Sequence, residues 1–135
     1  MTPEQTVHKS IATFLDVALT PPDWYSTIPA GWIPGGGKRG GLGAWLKVKG
    51  LKKGIPDILL IKAFNARAYW LEVKSGNKDA EDHQKACHVR LALAGCQTAV
   101  VHDIVETHDA LVKWGFSLRA RIEGQAIMRD LEAAE

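Results

Sequence analysis

The sequence predicts a mixed α/β domain in which helices flank a small central β-sheet, and two observations carry that expectation. Apolar runs of strand length, "PDILLIK", "RAYWLEVK" and "QTAVVH", stand apart from one another. Between and around them lie stretches whose apolar residues recur every three to four positions, as one face of a helix requires. Read along the chain, the order is α, β, β, α, β, α. With 135 residues, the chain has the length of a single domain, residues 1–135, able to bury its own core.

"TPEQTVHKSIATFLDVAL" predicts the first helix: Thr2 as N-cap, Pro3 at the first helical position and Gln5 completing a capping box. Val7, Ile11, Phe14, Leu15 and Ala18 form its apolar stripe. Glu4 lies on the same helical line, so it reads either as an inward-facing carboxylate or as a first-turn acid favoured by the helix dipole. "TPPDWYSTIPAGWIPGGGKRGGLGAW" is dense in Pro, Gly and Trp, which predicts an ordered irregular loop with a short strand around Trp24–Ile28. Its "GGGKRGG" is not a phosphate loop, because Trp32 and Arg39 stand where the Walker pattern needs glycine and Ser or Thr. A short amphipathic segment, "LGAWLKVKGLKKG", then leads into a hairpin whose two arms are separated by "AFNA".

"DAEDHQKACHVRLALAG" predicts a helix, with Asn77 or Asp79 near its N-cap and Gly95 as its stop. "QTAVVH" reads as a buried strand and "ETHDALVKWG" as a short helix. "SLRARIEGQAIMRDLEAAE" reads as a C-terminal helical extension, over 116–135, that frays at its end.

Hydrophobic residues at 46%, charged residues at 24% and a formal charge of +2 are ordinary globular values. Charge distribution is more informative. Lys38, Arg39, Lys47, Lys49, Lys52 and Lys53 follow one another without an intervening acid, a candidate phosphate-facing patch for DNA. Cys87 and Cys96 are too few for a disulfide framework and form no CxxC pair, so a reducing, cytoplasmic setting is expected. "MTPEQTVHKS" has no signal-peptide character, and no apolar run reaches the roughly 18 to 20 residues of a membrane span. His83, Cys87 and His88 share one helix, and the first two have zinc-compatible spacing, but no fourth ligand is evident, and His83 is expected at the surface near the active-site entrance. His8, His102 and His108 form no readable constellation.

The chemistry concentrates in the hairpin. In "YWLEVKSG", Glu72 and Lys74 share one face of an otherwise apolar strand. With a turn centred near Asn65, Asp57 falls opposite Glu72, Val73 or Lys74. Opposed side chains on one face stand about 4.5 to 5.5 Å apart at Cβ, and two carboxylates that close repel unless a cation lies between them. Mg²⁺ suits such a pair, because it takes one or two carboxylates and fills its shell with water and phosphate oxygens. An ammonium beside it orients an attacking water or balances charge developing on phosphorus. Taken alone, "EVK" fits an exposed edge strand with Asp57 as a turn residue; the Pro56–Asp57 pair at matching hairpin distance favours the metal-site reading.

Those residues carry a resemblance. "GIPDILLI…YWLEVK" resembles the Pro-Asp…(Asp/Glu)-x-Lys signature of the restriction-endonuclease-like superfamily, with Pro56, Asp57, Glu72 and Lys74 in its places. The wider run "GLKKGIPDILLIKAFNARAYWLEVKSGNKDAEDHQKACHVRLALAGCQTAVVHD" is similar to the VRR-NUC domain of phage and bacterial nucleases and of the Fanconi-associated nucleases. The similarity extends over roughly residues 2–115. It implies a restriction-endonuclease-like core and Mg²⁺ or Mn²⁺ held by Asp57, Glu72 and the Val73 carbonyl, with Glu4 adding to the shell. It further implies that Lys74 serves the attacking water and that Gln84 stands near the active site. "SGNKDAEDHQ" departs from the family in being longer and more acidic than the usual linker after the lysine.

The expected activity is metal-dependent endonucleolytic hydrolysis of structured DNA, as by a Holliday-junction resolvase, in a homodimer that nicks both sides of a junction. Trp24, Trp32, Ile33 and Trp45 are candidates for the dimer interface or for stacking on unpaired bases. A flap or nicking nuclease with the same site, and a DNA-binding module with an idle site, are the alternatives.

Overall fold

The computed structural model describes residues 1–29 and 49–122. Lys38, Arg39 and Lys47, with Trp32, Ile33 and Trp45, lie outside the described residues. Helix α1 (Pro3–Ala18) begins as its sequence requires: the Gln5 N–H donates to the Thr2 hydroxyl at 3.1 Å, and the Thr2 N–H donates to the Gln5 side chain at 2.9 Å. Its stripe buries Ile11, Leu15 and Ala18, while Val7 and Phe14 pack at the margin of the core. His8 is buried among them.

Strands β1 (Trp24–Thr27), β2 (Ile58–Lys62), β3 (Arg67–Val73) and β4 (Gln97–Val101) form one mixed sheet in the order β1-β2-β3-β4. Pairing is antiparallel from β1 to β3 and parallel between β3 and β4. Asn65 sets the β2–β3 turn, its side chain accepting the Arg67 N–H at 3.0 Å between two left-handed residues, Phe64 and Ala66. The register it fixes, Ile58↔Leu71 and Leu60↔Tyr69, puts these four core side chains on one face.

A parallel partner for β3 demands a crossover, and helix α2 (Asp82–Leu93) supplies it. Helix α3 (Ile104–Lys113) follows β4 and packs with α1. The core joins Ile11 and Leu15 of α1 to Ile58, Leu60, Leu71, Val73, Val101 and Leu111. Each such side chain contributes about 1.5–3 kcal/mol on burial.

Three expectations shift. α2 starts later than Asn77 or Asp79 implied, because the Glu81 N–H is capped by the Gln84 side chain at 2.8 Å, while Asp79 accepts the Ala80 N–H and pairs with Lys85. α3 starts two residues before Glu106, because Asp103 caps it by accepting the Glu106 N–H at 2.8 Å. The helix expected from Ser117 is not formed over 117–122. Gly115, at φ 83, ends α3, and the chain then lies along the end of α1, with a Leu19↔Leu118 bridge and the Arg119 N–H donating to the Ala18 carbonyl at 2.7 Å. Residues 123–135 lie outside the described residues. Among the described residues no helix is long and apolar enough to cross a membrane.

The loop after β3 is tied down by His102. Its Nδ1 lies 2.9 Å from Glu106 Oε2 and its Nε2 faces the Lys78 carbonyl, so both ring nitrogens meet acceptors. The Lys78 carbonyl, then Glu106, raise its pKa above the ordinary 6.5, because only the imidazolium donates in both directions. The stabilisation is therefore complete below pH 6.5 and is lost as pH rises through the raised folded value. Thermal melts of His102→Ala are expected to show a flatter loss of stability above pH 6.5 than the wild type. An unchanged pH slope would contradict the clamp.

Candidate active site

One step beyond the Ile58↔Leu71 pair, the register carries Asp57 opposite Glu72. Both lie on the face opposite the main core, since alternate residues of β2 and β3 point the other way. Glu72 is 1% exposed, Lys74 two residues on is 8% exposed, and the pair sits at the end of a strand buried on both faces. Asp57 is fixed from two directions: its carbonyl accepts the Ile28 N–H at 2.7 Å, and its carboxylate Oδ2 accepts the Val73 N–H at 2.8 Å. The Lys74 N–H turns the other way, to the Val101 carbonyl at 3.0 Å. In a strand the N–H and C=O of one residue share a side, so the Val73 backbone edge faces Asp57.

Burial, first, and then a hydrogen bond and the charge of Asp57 push the Glu72 carboxyl up to about 9, against the opposing pull of Lys74. At neutral pH the Glu72 carboxyl accordingly keeps its proton. Glu4, at the solvent-exposed start of α1, feels the same neighbours: desolvation raises its pKa, Lys74 lowers it and Asp57 raises it. The helix therefore brings Glu4 into the field of the pair without burying it.

Two histidines complete the surroundings. His8, 4% exposed on α1, has its Nε2 3.0 Å from the Thr27 hydroxyl, and burial lowers its pKa while Asp57 raises it. His88 on α2 has its Nε2 3.3 Å from Glu72 Oε1. Neither was singled out for this site from the sequence. The signal was there, since His8 follows Glu4 by one helical turn and His88 follows Gln84 by one.

Gln84 itself accepts the Glu81 N–H, so its carboxamide oxygen serves the start of α2. His83 is surface-exposed and pairs with Glu81 at 3.4 Å. Lys49, Lys52 and Lys53 are exposed on the segment that leads into Asp57. Comparison with protein-family models, curated proteins and solved structures finds no match to this chain.

Among the described residues no three His, Cys, Asp or Glu side chains are grouped to close around one ion. The donor set nevertheless suits a hard cation that retains water: two opposed carboxyls, the Glu72 one with a raised pKa, and a backbone edge beside them. A divalent ion relieves the repulsion that the proton relieves in its absence.

That equivalence gives a stability test. The folded chain holds the Glu72 proton from the unfolded value of 4.5 up to about 9, so metal-free stability falls as pH rises through that window. Glu72→Gln removes this loss and offers an amide N–H to Asp57. In EDTA at pH 8 it is expected to melt above the wild type, by on the order of 2 kcal/mol. With millimolar Mg²⁺ the wild type alone should gain stability. A variant less stable than the wild type in EDTA would refute the raised Glu72 pKa.

Proposed function

We propose that this chain is a divalent-metal-dependent endonuclease that hydrolyses phosphodiester bonds in structured DNA, of the Holliday-junction-resolvase kind. The observation that carries the reading is Asp57 facing a 1% exposed Glu72 across the hairpin, with Lys74 buried two residues further along. Burying a glutamate against an aspartate in an otherwise hydrophobic strand costs several kcal/mol of desolvation that an apolar residue there would avoid. The four-stranded mixed sheet with its helices supports the restriction-endonuclease-like assignment that the Pro56-Asp57…Glu72-x-Lys74 pattern implies.

Asp57 and Glu72, with the Val73 carbonyl and Glu4 at the margin, would hold Mg²⁺ or Mn²⁺, which when bound supplies Lewis-acid polarisation of the phosphate and neutralises its charge. The chain's own contributions are positional. Ile28 and Val73 N–H groups hold Asp57 in place before substrate arrives, so no reorganisation is needed during the reaction. Lys74 aligns the attacking water and compensates the charge that develops as the water oxygen bonds to phosphorus and one ester P–O bond breaks. Lys49, Lys52 and Lys53 supply backbone attraction without sequence preference. A DNA substrate places the work in the cytoplasm, and a symmetric junction calls for a homodimer.

The test is a panel of labelled substrates, a four-way junction, a 5′ flap and a linear duplex, each with Mg²⁺, with Mn²⁺ and with EDTA. Paired, metal-dependent nicks on the junction are the expected outcome. Flap-only cutting would keep the chemistry and replace the substrate, and binding without cutting would assign the chain to DNA-binding modules.

A further inference from the structure

We propose that His88 is a positioning residue: its Nε2–H holds Glu72 Oε1, which leaves the other carboxylate oxygen to face the divalent cation. The proposal rests on the metal-site reading above and adds to it a hydrogen-bonding partner for the glutamate, delivered from another element.

The arrangement of α2 is the argument. A crossover helix ordinarily anchors itself by burying apolar side chains against the sheet. No residue of α2 is fully buried: Val89 and Leu93 are 59% and 84% exposed, and Leu91 is only half-buried. Yet His88 turns inward to 13% side-chain exposure and meets a glutamate that is 1% exposed, at 3.3 Å. The deepest polar contact of the helix is thus made with a candidate metal ligand rather than with the core.

The position of α2 is also fixed relative to Asp57. Gly54, three residues before Asp57, has φ +83, and a Cβ there would stand 2.4 Å from the His83 carbonyl oxygen. The chain entering the site therefore lies directly on the first turn of α2, and Gln84 caps that turn. One turn further in, the same helix presents His88 to Glu72. Gly54, α2 and His88 form a continuous path from one carboxylate of the pair to the other.

A ligating carboxylate has two equivalent oxygens and a free torsion, so an undirected glutamate samples several orientations. A hydrogen bond to one oxygen selects among them, and loss of such a partner typically costs 10- to 100-fold in metal affinity or activity. His88→Gln keeps an N–H donor near the position of Nε2, whereas His88→Ala removes it and His88→Asn stops short of Glu72.

The experiment is calorimetric titration of Mn²⁺ into wild type, His88→Ala, His88→Asn and His88→Gln, with cleavage of a four-way junction measured on the same samples. We expect His88→Ala and His88→Asn to bind Mn²⁺ about 10- to 100-fold more weakly and His88→Gln to recover most of the loss. If His88→Ala does not fold, the contrast between Asn and Gln carries the test. Wild-type affinity in the loss variants overturns the proposal, as does a His88→Gln as weak as His88→Asn, or a wild type that takes up no Mn²⁺. Wild type that binds Mn²⁺ in this His88-dependent way yet cuts no DNA supports the positioning role and rejects the nuclease reading alone.

Discussion

Asp57→Ala is expected to lower metal-dependent cleavage by at least about 10³-fold, while DNA affinity measured in EDTA stays close to that of the wild type. The two halves of this expectation have separate causes. In the proposed function, cleavage depends on a carboxylate held by the Val73 N–H at 2.8 Å and opposed to Glu72, and alanine would remove both the proposed ligand and the anchor. DNA binding, on the same proposal, would depend on exposed cations such as Lys52 and Lys53, which the substitution leaves in place. Asp57→Asn provides the control for folding, since it keeps the shape and can still accept the Val73 N–H. Turnover retained in either variant would remove Asp57 from the chemistry.

Lys74→Ala is expected to be nearly as damaging, about 10²- to 10³-fold in turnover, for the opposite electrostatic reason. Lys74 is the positive group that lowers the pKa of both Glu72 and Glu4. Its removal leaves the pocket more negative, so affinity for Mn²⁺ should hold or rise while turnover collapses. Single-turnover cleavage and Mn²⁺ titration on the same protein separate these effects. Parallel loss of metal affinity and turnover would make Lys74 a support of the site instead of a participant in the reaction.

The hairpin was the most legible part of the fold because its signals agree: two apolar runs of strand length, the Asn65 turn and a fixed distance from Asp57 to Glu72. The first helix was equally plain, since Thr2, Pro3 and Gln5 each act locally. Local signals misled where several competed. Asp79 is a good N-cap by type, but its carboxylate is engaged by Ala80 and Lys85, and the helix starts after Glu81. "SLRAR" has helical composition, yet Leu118 and Arg119 find long-range partners at Leu19 and Ala18 that no local pattern contains.

The same division runs through the candidate site. Asp57, Glu72 and Lys74 were legible because strand pairing is arithmetic. His8 and His88 come from helices whose packing on the sheet the sequence does not specify, and a lone histidine on a helix has many ordinary roles. Only the placement of α2, through Gly54 and the Gln84 cap, turns His88 toward Glu72.

The central claim is that the paired carboxyls take a divalent cation in place of the proton on Glu72. The most direct measurement is anomalous diffraction at the manganese edge from crystals grown with Mn²⁺ near pH 7.5. The account expects one strong peak at about 2.1 Å from oxygens of Asp57 and Glu72, with the Val73 carbonyl in the shell and the hydrogen bond between the two carboxyls gone. An intact carboxyl–carboxyl hydrogen bond with no manganese between Asp57 and Glu72 would contradict it.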